Sequence, residues 1–341
     1  QFVEQRYPLG VIAAITPWNF PVSLLMVKIT PALLVGNTVV AKPAPTTPLT
    51  SLRIAEMVNR VVPAGVFNMI ADANDLGGEL TAHPDIAKVS FTGSTATGKK
   101  VMASAASLLK RVTLELGGND PAIVLDDVDP QDAARSLFEG AMVNSGQVCL
   151  AIKRAYVHES QYDAICDALE VLASQAVVDD GTKQGTQYGP LQNRAQYDKV
   201  REMIADAAAG GAKVSGGETP DRPGYFIRPA IVRDVADDAR IVREEQFGPV
   251  LPVLRYADLD DAIARANDTD QGLGGTVWGQ DKARALEVAS RLETGMVWIN
   301  SHMNINPFIP MGGAKQSGIG QELGQAGLEE FTQRRLVYVP A

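Results

Sequence analysis

Residues 9–43 read LGVIAAITPWNFPVSLLMVKITPALLVGNTVVAKP, and this stretch decides the fold. The apolar run at residues 9–15 has strand character and ends at Thr16-Pro17. A helix-forming segment follows over about residues 22–35. Residues 37–43 then make a second short strand, stopped by Pro43 because proline cannot donate to a sheet ladder. Lys28, Thr30, Pro31, Gly36 and Asn37 interrupt the most apolar stretch, residues 22–41, which therefore predicts a buried helix and a strand rather than a membrane span. Outward from this unit the alternation continues. Helical spacing over residues 48–61 precedes a strand at 66–70, a helix near 75–82, a strand in AKVSFTG (87–93), a helix over 95–106 and a strand in VTLELGG (112–118). Strands and helices taken in turn favour a mostly parallel sheet covered on both faces.

The pattern resumes with AIVL (122–125), a long helix over about 130–144 and the strand RAYVH (154–158), so a second α/β domain is expected to start near Asn119. Residues 210–217 and 219–224 read as connections, and 225–232 as a strand. The segment 258–267, the Gly-rich LGGTVWG (273–279) and a helix at 281–292 continue the alternation. The apolar tail RRLVYVP (334–340) suits an edge strand or one that pairs outside its own domain.

With 341 residues and 45% hydrophobic side chains, the chain is long enough for two to three domains of roughly 150 residues. Its 31 Lys+Arg against 40 Asp+Glu leave a net charge of -9, which repels nucleic acid and anionic membrane surfaces. Two cysteines and three histidines argue against a disulfide framework or a metal cluster, and for a reducing, cytoplasmic compartment with no metal. The opening QFVEQRYPLG has neither an initiator Met nor a signal region and reads as the interior of something longer.

Cys149, in NSGQVCLA, lies just past a predicted helix among small and apolar residues; it is either a core hydrophobe or a nucleophile. Cys166, on a helical stripe with Ile165, Leu169 and Leu172, reads as core. Glu115, in LELGGN, stands on an apolar strand leading into two glycines. Burial there raises its pKa and suits it to general-base work, with capping of backbone amides as the alternative. Asn19, in ITPWNFP, is an oxyanion donor or a turn residue before Pro21. In FTGSTATGK (91–99) a strand enters a glycine turn, and Ser94 or Thr95 starts a helix whose amides suit a phosphate, although the spacing matches no standard phosphate-loop pattern. Lys42 ends a strand where it can reach a ribose or a phosphate, or simply be solvated.

ITPWNFP, VVAKPAPTTP, FTGSTATGK, LELGGN, GQVC, EEQFGPV and PMGGAKQSGIGQELG occur in an order and spacing that resemble the aldehyde dehydrogenase superfamily across nearly the whole chain. The resemblance implies an α/β fold: the end of an oligomerisation hairpin (1–8), a partial Rossmann-like NAD(P)-binding domain (9–117), an α/β catalytic domain (118–316), a return segment (317–330) and a C-terminal oligomerisation strand (331–341). It implies Cys149 as nucleophile, Glu115 as general base and Asn19 as oxyanion donor. Thr16, Pro17, Trp18, Lys42, Gly93, Ser94, Leu116, Glu245 and Phe247 would hold NAD or NADP. Leu24, Val27, Val148, Leu150 and Phe308 would line the aldehyde pocket. A homodimer or homotetramer is expected at full length.

Three positions depart from that family's pattern. Pro45 stands where NAD-preferring members commonly carry a glutamate, which makes NADP use more plausible while NAD stays ahead. Met311 softens an aromatic wall, and Gln321 replaces a frequent arginine. Val143 occupies the place where succinate-semialdehyde enzymes carry an arginine, which favours a neutral aliphatic or aromatic aldehyde. A semialdehyde or amino aldehyde met by His302, Asn304 or Asn306 is the alternative, and a catalytically inactive binding protein a further one. His302 reads as a contact at the pocket entrance or as a surface-loop residue.

Overall fold

The computed structural model describes residues 1–340; Ala341, the last residue of the expected C-terminal strand, lies outside the described residues. The chain forms two compact units. One comprises Gln1–Leu116, Ile305–Gly313 and the chain from Ser317 onward; the other comprises Gly117–Asn304 and Ala314–Gln316. Residues 305–313, grouped by sequence with the catalytic domain, thus make their contacts within the first unit.

The first unit opens with β1 (Phe2–Pro8), β2 (Val11–Ile15), α1 (Pro21–Leu34), β3 (Thr38–Lys42), α2 (Leu49–Val58), β4 (Phe67–Met69), α3 (Gly77–Ala82), β5 (Ile86–Thr92), α4 (Thr95–Ala106) and β6 (Arg111–Glu115). Five of these strands pair in parallel in the order β6-β5-β2-β3-β4. Ile12 and Ala14 face a core with Leu25, Ile29, Val39 and Phe67, whereas Ala13 and Ile15 face Val89, Phe91, Val101 and Leu114. Alternate residues of one strand enter two cores, which is why LGVIAAI is apolar throughout rather than at every second position.

The second unit contains β7 (Asp120–Val124), α5 (Pro130–Met142), β8 (Ile152–His158), α6 (Glu159–Gln175), α7 (Arg194–Ala209), β9 (Lys213–Gly216), β10 (Ala230–Arg233) and α8 (Arg240–Arg243). It continues with β11 (Val250–Tyr256), α9 (Leu259–Asn267), β12 (Gln271–Gly272), β13 (Gly274–Trp278), α10 (Lys282–Ala289), β14 (Met296–Ile299) and β15 (Ala314–Lys315). Its main sheet runs β14-β13-β7-β8-β11-β10-β9, parallel except for β9. Two expectations are corrected here. The helix expected to reach residue 144 stops at Met142, because Asn144, Ser145 and Gly146 all take positive φ. The strand expected over 225–232 pairs only from Ala230, since Pro229 has no N–H to give.

The chain returns to the first unit through β16 (Gly318–Ile319), antiparallel to β6, then α11 (Gly324–Glu329) and β17 (Thr332–Tyr338). β17 pairs antiparallel with β1 from Phe2↔Tyr338 to Pro8↔Thr332, so the apolar tail meets the beginning of its own chain. Among the described residues no helix is long and apolar enough to cross a membrane.

Candidate active site

Glu115 ends β6 and is buried, with Gly318 of β16 paired beside it in the sheet. Burial raises its carboxyl pKa well above the ordinary value, and the charge of Glu322 adds to this, while Lys28 opposes it. Lys28, fully buried on α1, donates to Glu322 Oε1 at 2.6 Å and to Ser90 Oγ at 3.3 Å. Lys28 thus pairs with Glu322 and reaches Glu115 only through its charge, while the second carboxylate nearby favours a proton on Glu115. Sequence reading took Lys28 for an interruption of an apolar helix and passed over Glu322. The available signal was that a lysine on a buried helix face requires a buried counter-ion. Asn19 is half-buried in the bend between β2 and α1, just ahead of Pro21 at the helix start, and Leu24 and Val27 are half-buried on α1.

At the carboxyl edge of the same sheet, the Thr16 amide donates to the Lys42 carbonyl at 3.1 Å. Lys42 is not a solvated strand-end lysine, because it pairs with Asp72 at 2.9 Å. Burial alone would raise the Asp72 carboxyl, but Lys42 and the Leu76 amide hold it below its usual value. Ser94 caps α4, its Oγ accepting from the Thr97 amide at 3.2 Å, and the Gly93 amide is bound to the Glu115 carbonyl. The hydroxyls of Thr16 and Thr95 are buried without a hydrogen-bond partner in the protein. A capped helix start, with one unsatisfied hydroxyl in its first turn and another just past the end of β2, fits a dinucleotide. Leu116, placed by sequence in the cofactor set, buries its side chain against α4, where a Cβ on Gly98 would lie 2.4 Å from Leu116 Cδ2.

In the second unit Cys149 is half-buried on the loop between α5 and β8, flanked by buried Val148 and Leu150. The loop enters through the left-handed turn at Asn144, Ser145 and Gly146. Gly146 is required twice over, by its φ of +71° and because a Cβ would lie 2.0 Å from the Gly248 carbonyl oxygen. Beyond this turn, side chains satisfy the loop carbonyls. Lys153 Nζ donates to Val148 O at 2.9 Å, Cys149 O at 2.6 Å and Ala151 O at 3.4 Å, and His302 Nε2 bonds Leu150 O at 2.5 Å. His302 is therefore packed beside the neighbour of Cys149 rather than out in a surface loop, and burial lowers its pKa to about 4, leaving it neutral.

Glu245 Oε1 accepts from the Gly118 amide at 3.1 Å and lies 3.5 Å from Lys153 Nζ. Lys199 and Gln196 on α7 bind the carbonyls of Glu245, Gln246 and Phe247, fixing a loop in which Phe247 has a φ of +54°. Phe308, expected in the pocket wall, is 83% exposed; it sits in an irregular loop with exposed Ile305 and Ile309 and has no neighbour burying its ring. Cys166 is core, as its helical stripe predicts, and burial pushes its thiol up to about 12.

Asp120, at the start of β7, was missed by sequence reading. Burial pushes its carboxyl up to about 7, against the pull of Lys153. A folded-state pKa above the unfolded value of about 3.9 means that its stabilising contribution is present at low pH and fades as pH rises from about 4 to about 7, by about 4 kcal/mol in all. Asp120→Asn should therefore gain stability relative to the wild type as pH rises. Thermal unfolding of both proteins between pH 4 and 8 checks this, and a constant difference in Tm would refute it.

The first unit thus carries a helix start suited to a phosphate and a buried carboxyl of raised pKa, and the second carries a half-buried thiol on a constrained loop. The family model for the Aldehyde dehydrogenase family matches residues 1–337. The phenylacetaldehyde dehydrogenase of Pseudomonas fluorescens is 42% identical over 340 residues, 98% of this chain and 68% of that protein. The NADP-dependent succinate-semialdehyde dehydrogenase of Escherichia coli is 42% identical over 331 residues, 96% of this chain and 69% of that protein. A crystal structure of an aldehyde dehydrogenase variant from Pseudomonas syringae with NAD+ and octanal superposes with a TM-score of 0.96 at 39% identity, covering 100% of this chain and 72% of that one. This chain belongs to the aldehyde dehydrogenase family and is an NAD(P)-dependent enzyme that oxidises an aldehyde by a cysteine mechanism.

Proposed function

We propose that the substrate is a neutral aliphatic or aromatic aldehyde, converted to its carboxylic acid. The observation that carries this reading is the surroundings of Cys149. Its flanking side chains, Val148 and Leu150, are apolar and buried, and the two cations that follow in sequence are committed elsewhere. Lys153 serves loop carbonyls, and Arg154 serves the carbonyls of Asn119, Arg265 and Ala266 and the Tyr156 hydroxyl. Neither is left to clamp a substrate carboxylate.

In this reading the Cys149 thiolate attacks the aldehyde carbon, and the Asn19 amide and the Cys149 N–H stabilise the oxyanion. NAD(P), when bound, supplies the hydride acceptor. Thr16, Pro17, Trp18, Lys42, Gly93 and Ser94 bind it on the first unit, and Glu245 and Phe247 on the second. Glu115 then takes a proton from the water that hydrolyses the Cys149 thioester. Kinetics with hexanal, phenylacetaldehyde, succinate semialdehyde and a hydroxyaldehyde test the substrate class. The highest kcat/KM is expected for a neutral aldehyde, and a preference for succinate semialdehyde would overturn it. A second reading, a polar aldehyde, is favoured by the buried, unpartnered Nδ1 of His302, and the hydroxyaldehyde measures it.

Cofactor preference follows from Lys42 and Pro45. Pro45 is exposed just past Lys42 and has no carboxylate to accept from a ribose hydroxyl or repel a 2'-phosphate. Asp72 already places one negative charge against Lys42, which limits the effect. Pro45→Glu is expected to move the kcat/KM ratio toward NAD by about tenfold, the lower end of the scale of one charge-assisted hydrogen bond. An unchanged ratio on titrating both cofactors would show that this loop does not face the adenosine ribose. For assembly, the β1–β17 ribbon leaves both its edges to be covered and is marginal alone, so we assign it to a homodimer or homotetramer, testable by light scattering.

A further inference from the structure

Lys153 is almost wholly buried, yet it takes no part in the reaction just described. Its ammonium binds Val148 O at 2.9 Å and Cys149 O at 2.6 Å, the carbonyls on either side of the Cys149 α-carbon. One side chain therefore holds both peptide planes that flank the cysteine. A trans peptide is planar, with its C=O and N–H pointing in opposite directions. The plane that carries the Val148 carbonyl also carries the Cys149 N–H. Turning that carbonyl toward Lys153 necessarily aims the Cys149 N–H the other way.

The charge acts in the same sense. A cation hydrogen-bonded to an amide oxygen draws electron density through the conjugated O–C–N unit and makes the N–H a stronger donor, an instance of hydrogen-bond cooperativity in a low-dielectric setting. The position is closely packed: a Cβ on Gly118 would lie 2.5 Å from Cys149 O and 2.7 Å from Asp120 Oδ1. Glu245 Oε1, 3.5 Å away, supplies a countercharge, while the hydrogen bonds of the ammonium go to carbonyls.

We propose that Lys153 is the positioning residue of the oxyanion site, aiming and polarising the Cys149 N–H toward the developing negative charge through its bond to the Val148 carbonyl. The inference rests on the reading of Cys149 as nucleophile and its amide as oxyanion donor. It predicts a separation between two reactions of the same sulfur. Aldehyde oxidation passes through an oxyanion, whereas alkylation by iodoacetamide displaces iodide and forms none.

In Lys153→Met, kcat/KM for aldehyde oxidation should fall about 30- to 100-fold, at or just below the loss of about 10² to 10³ seen when an oxyanion donor itself is deleted. The high-pH plateau rate of Cys149 alkylation should stay within about threefold of the wild type. Lys153→Gln, which keeps a neutral donor, covers failure of the methionine variant to fold and should lose about tenfold in oxidation with alkylation again preserved. Parallel loss of both rates would show that Lys153 only holds the loop together, and unchanged oxidation would remove it from the site; either overturns the proposal. Cys149→Ala separates the underlying reading, since oxidation that survives in that variant refutes the nucleophile itself, whatever Lys153 does.

Discussion

Cys149→Ala is expected to abolish aldehyde oxidation, with kcat falling by at least about 10⁴-fold, the scale on which removal of a covalent nucleophile acts. No other thiol can take over. Cys166 is enclosed in the second unit's core, and its thiol titrates only at about 12, so it supplies almost no thiolate at neutral pH. The alanine leaves the loop's anchoring intact, because Lys153 and His302 grip main-chain carbonyls that the substitution does not touch. Stability should accordingly stay close to that of the wild type while activity disappears. Progress curves of NAD(P)H formation and a thermal melt decide the matter together. Oxidation at near the wild-type rate in a folded variant would refute the assignment.

Glu115→Gln should separate the two halves of the reaction. Acylation needs no base at this position, so a first turnover releases about one NAD(P)H per active site, and hydrolysis of the thioester then stalls. Steady-state turnover is expected to fall by about 10² to 10⁴, the range of general-base catalysis. In the wild type, turnover should weaken on acidification as Glu115 takes up a proton, and burial together with Glu322 places this limb above the pH of an ordinary carboxylate. Lys28 is the group that opposes the shift, so Lys28→Met should move the limb to still higher pH. The stability linkage runs with the same proton. Because the folded-state pKa is raised, the stabilisation is present at low pH and lost as pH rises through that value. Rapid-mixing kinetics across pH test the assignment, and unchanged steady-state turnover in Glu115→Gln would remove it.

Local pattern made much of the fold legible. The strands of LGVIAAI and VVAK and the helix between them were readable because apolar runs bounded by Pro and Gly carry their own punctuation. The burial of Glu115 was readable for the same reason, from an apolar strand entering two glycines. What surrounds it was not. Glu322 meets Lys28 across 294 residues, and nothing near either residue announces the other. Lys153 was passed over because a lysine beside an arginine on a strand looks like surface charge, whereas both are buried and bound to carbonyls. The left-handed turn at Asn144 and Ser145 is hidden because neither is glycine, the residue that most often announces positive φ. The 83% exposure of Phe308 was not legible either, because an aromatic residue near a recognisable motif carries no information about which way its loop turns.

The pairing of β1 with β17 imposes an order on the birth of the molecule. Residues 2–8 are made more than 300 residues ahead of 332–338 and must wait for them, and the carboxyl cluster at Glu115 likewise waits for Glu322. The second unit is nearly continuous in sequence, from Gly117 to Asn304, so most of it can condense while the chain is still being made. The first unit can only close afterwards, around a long intervening segment whose loop-closure cost falls largely away once that segment has become compact. During synthesis, the loop that bears the thiol can therefore take shape before the buried acid acquires its surroundings. A chain interrupted before residue 322 would carry a formed nucleophile loop without the group that helps to keep a proton on Glu115.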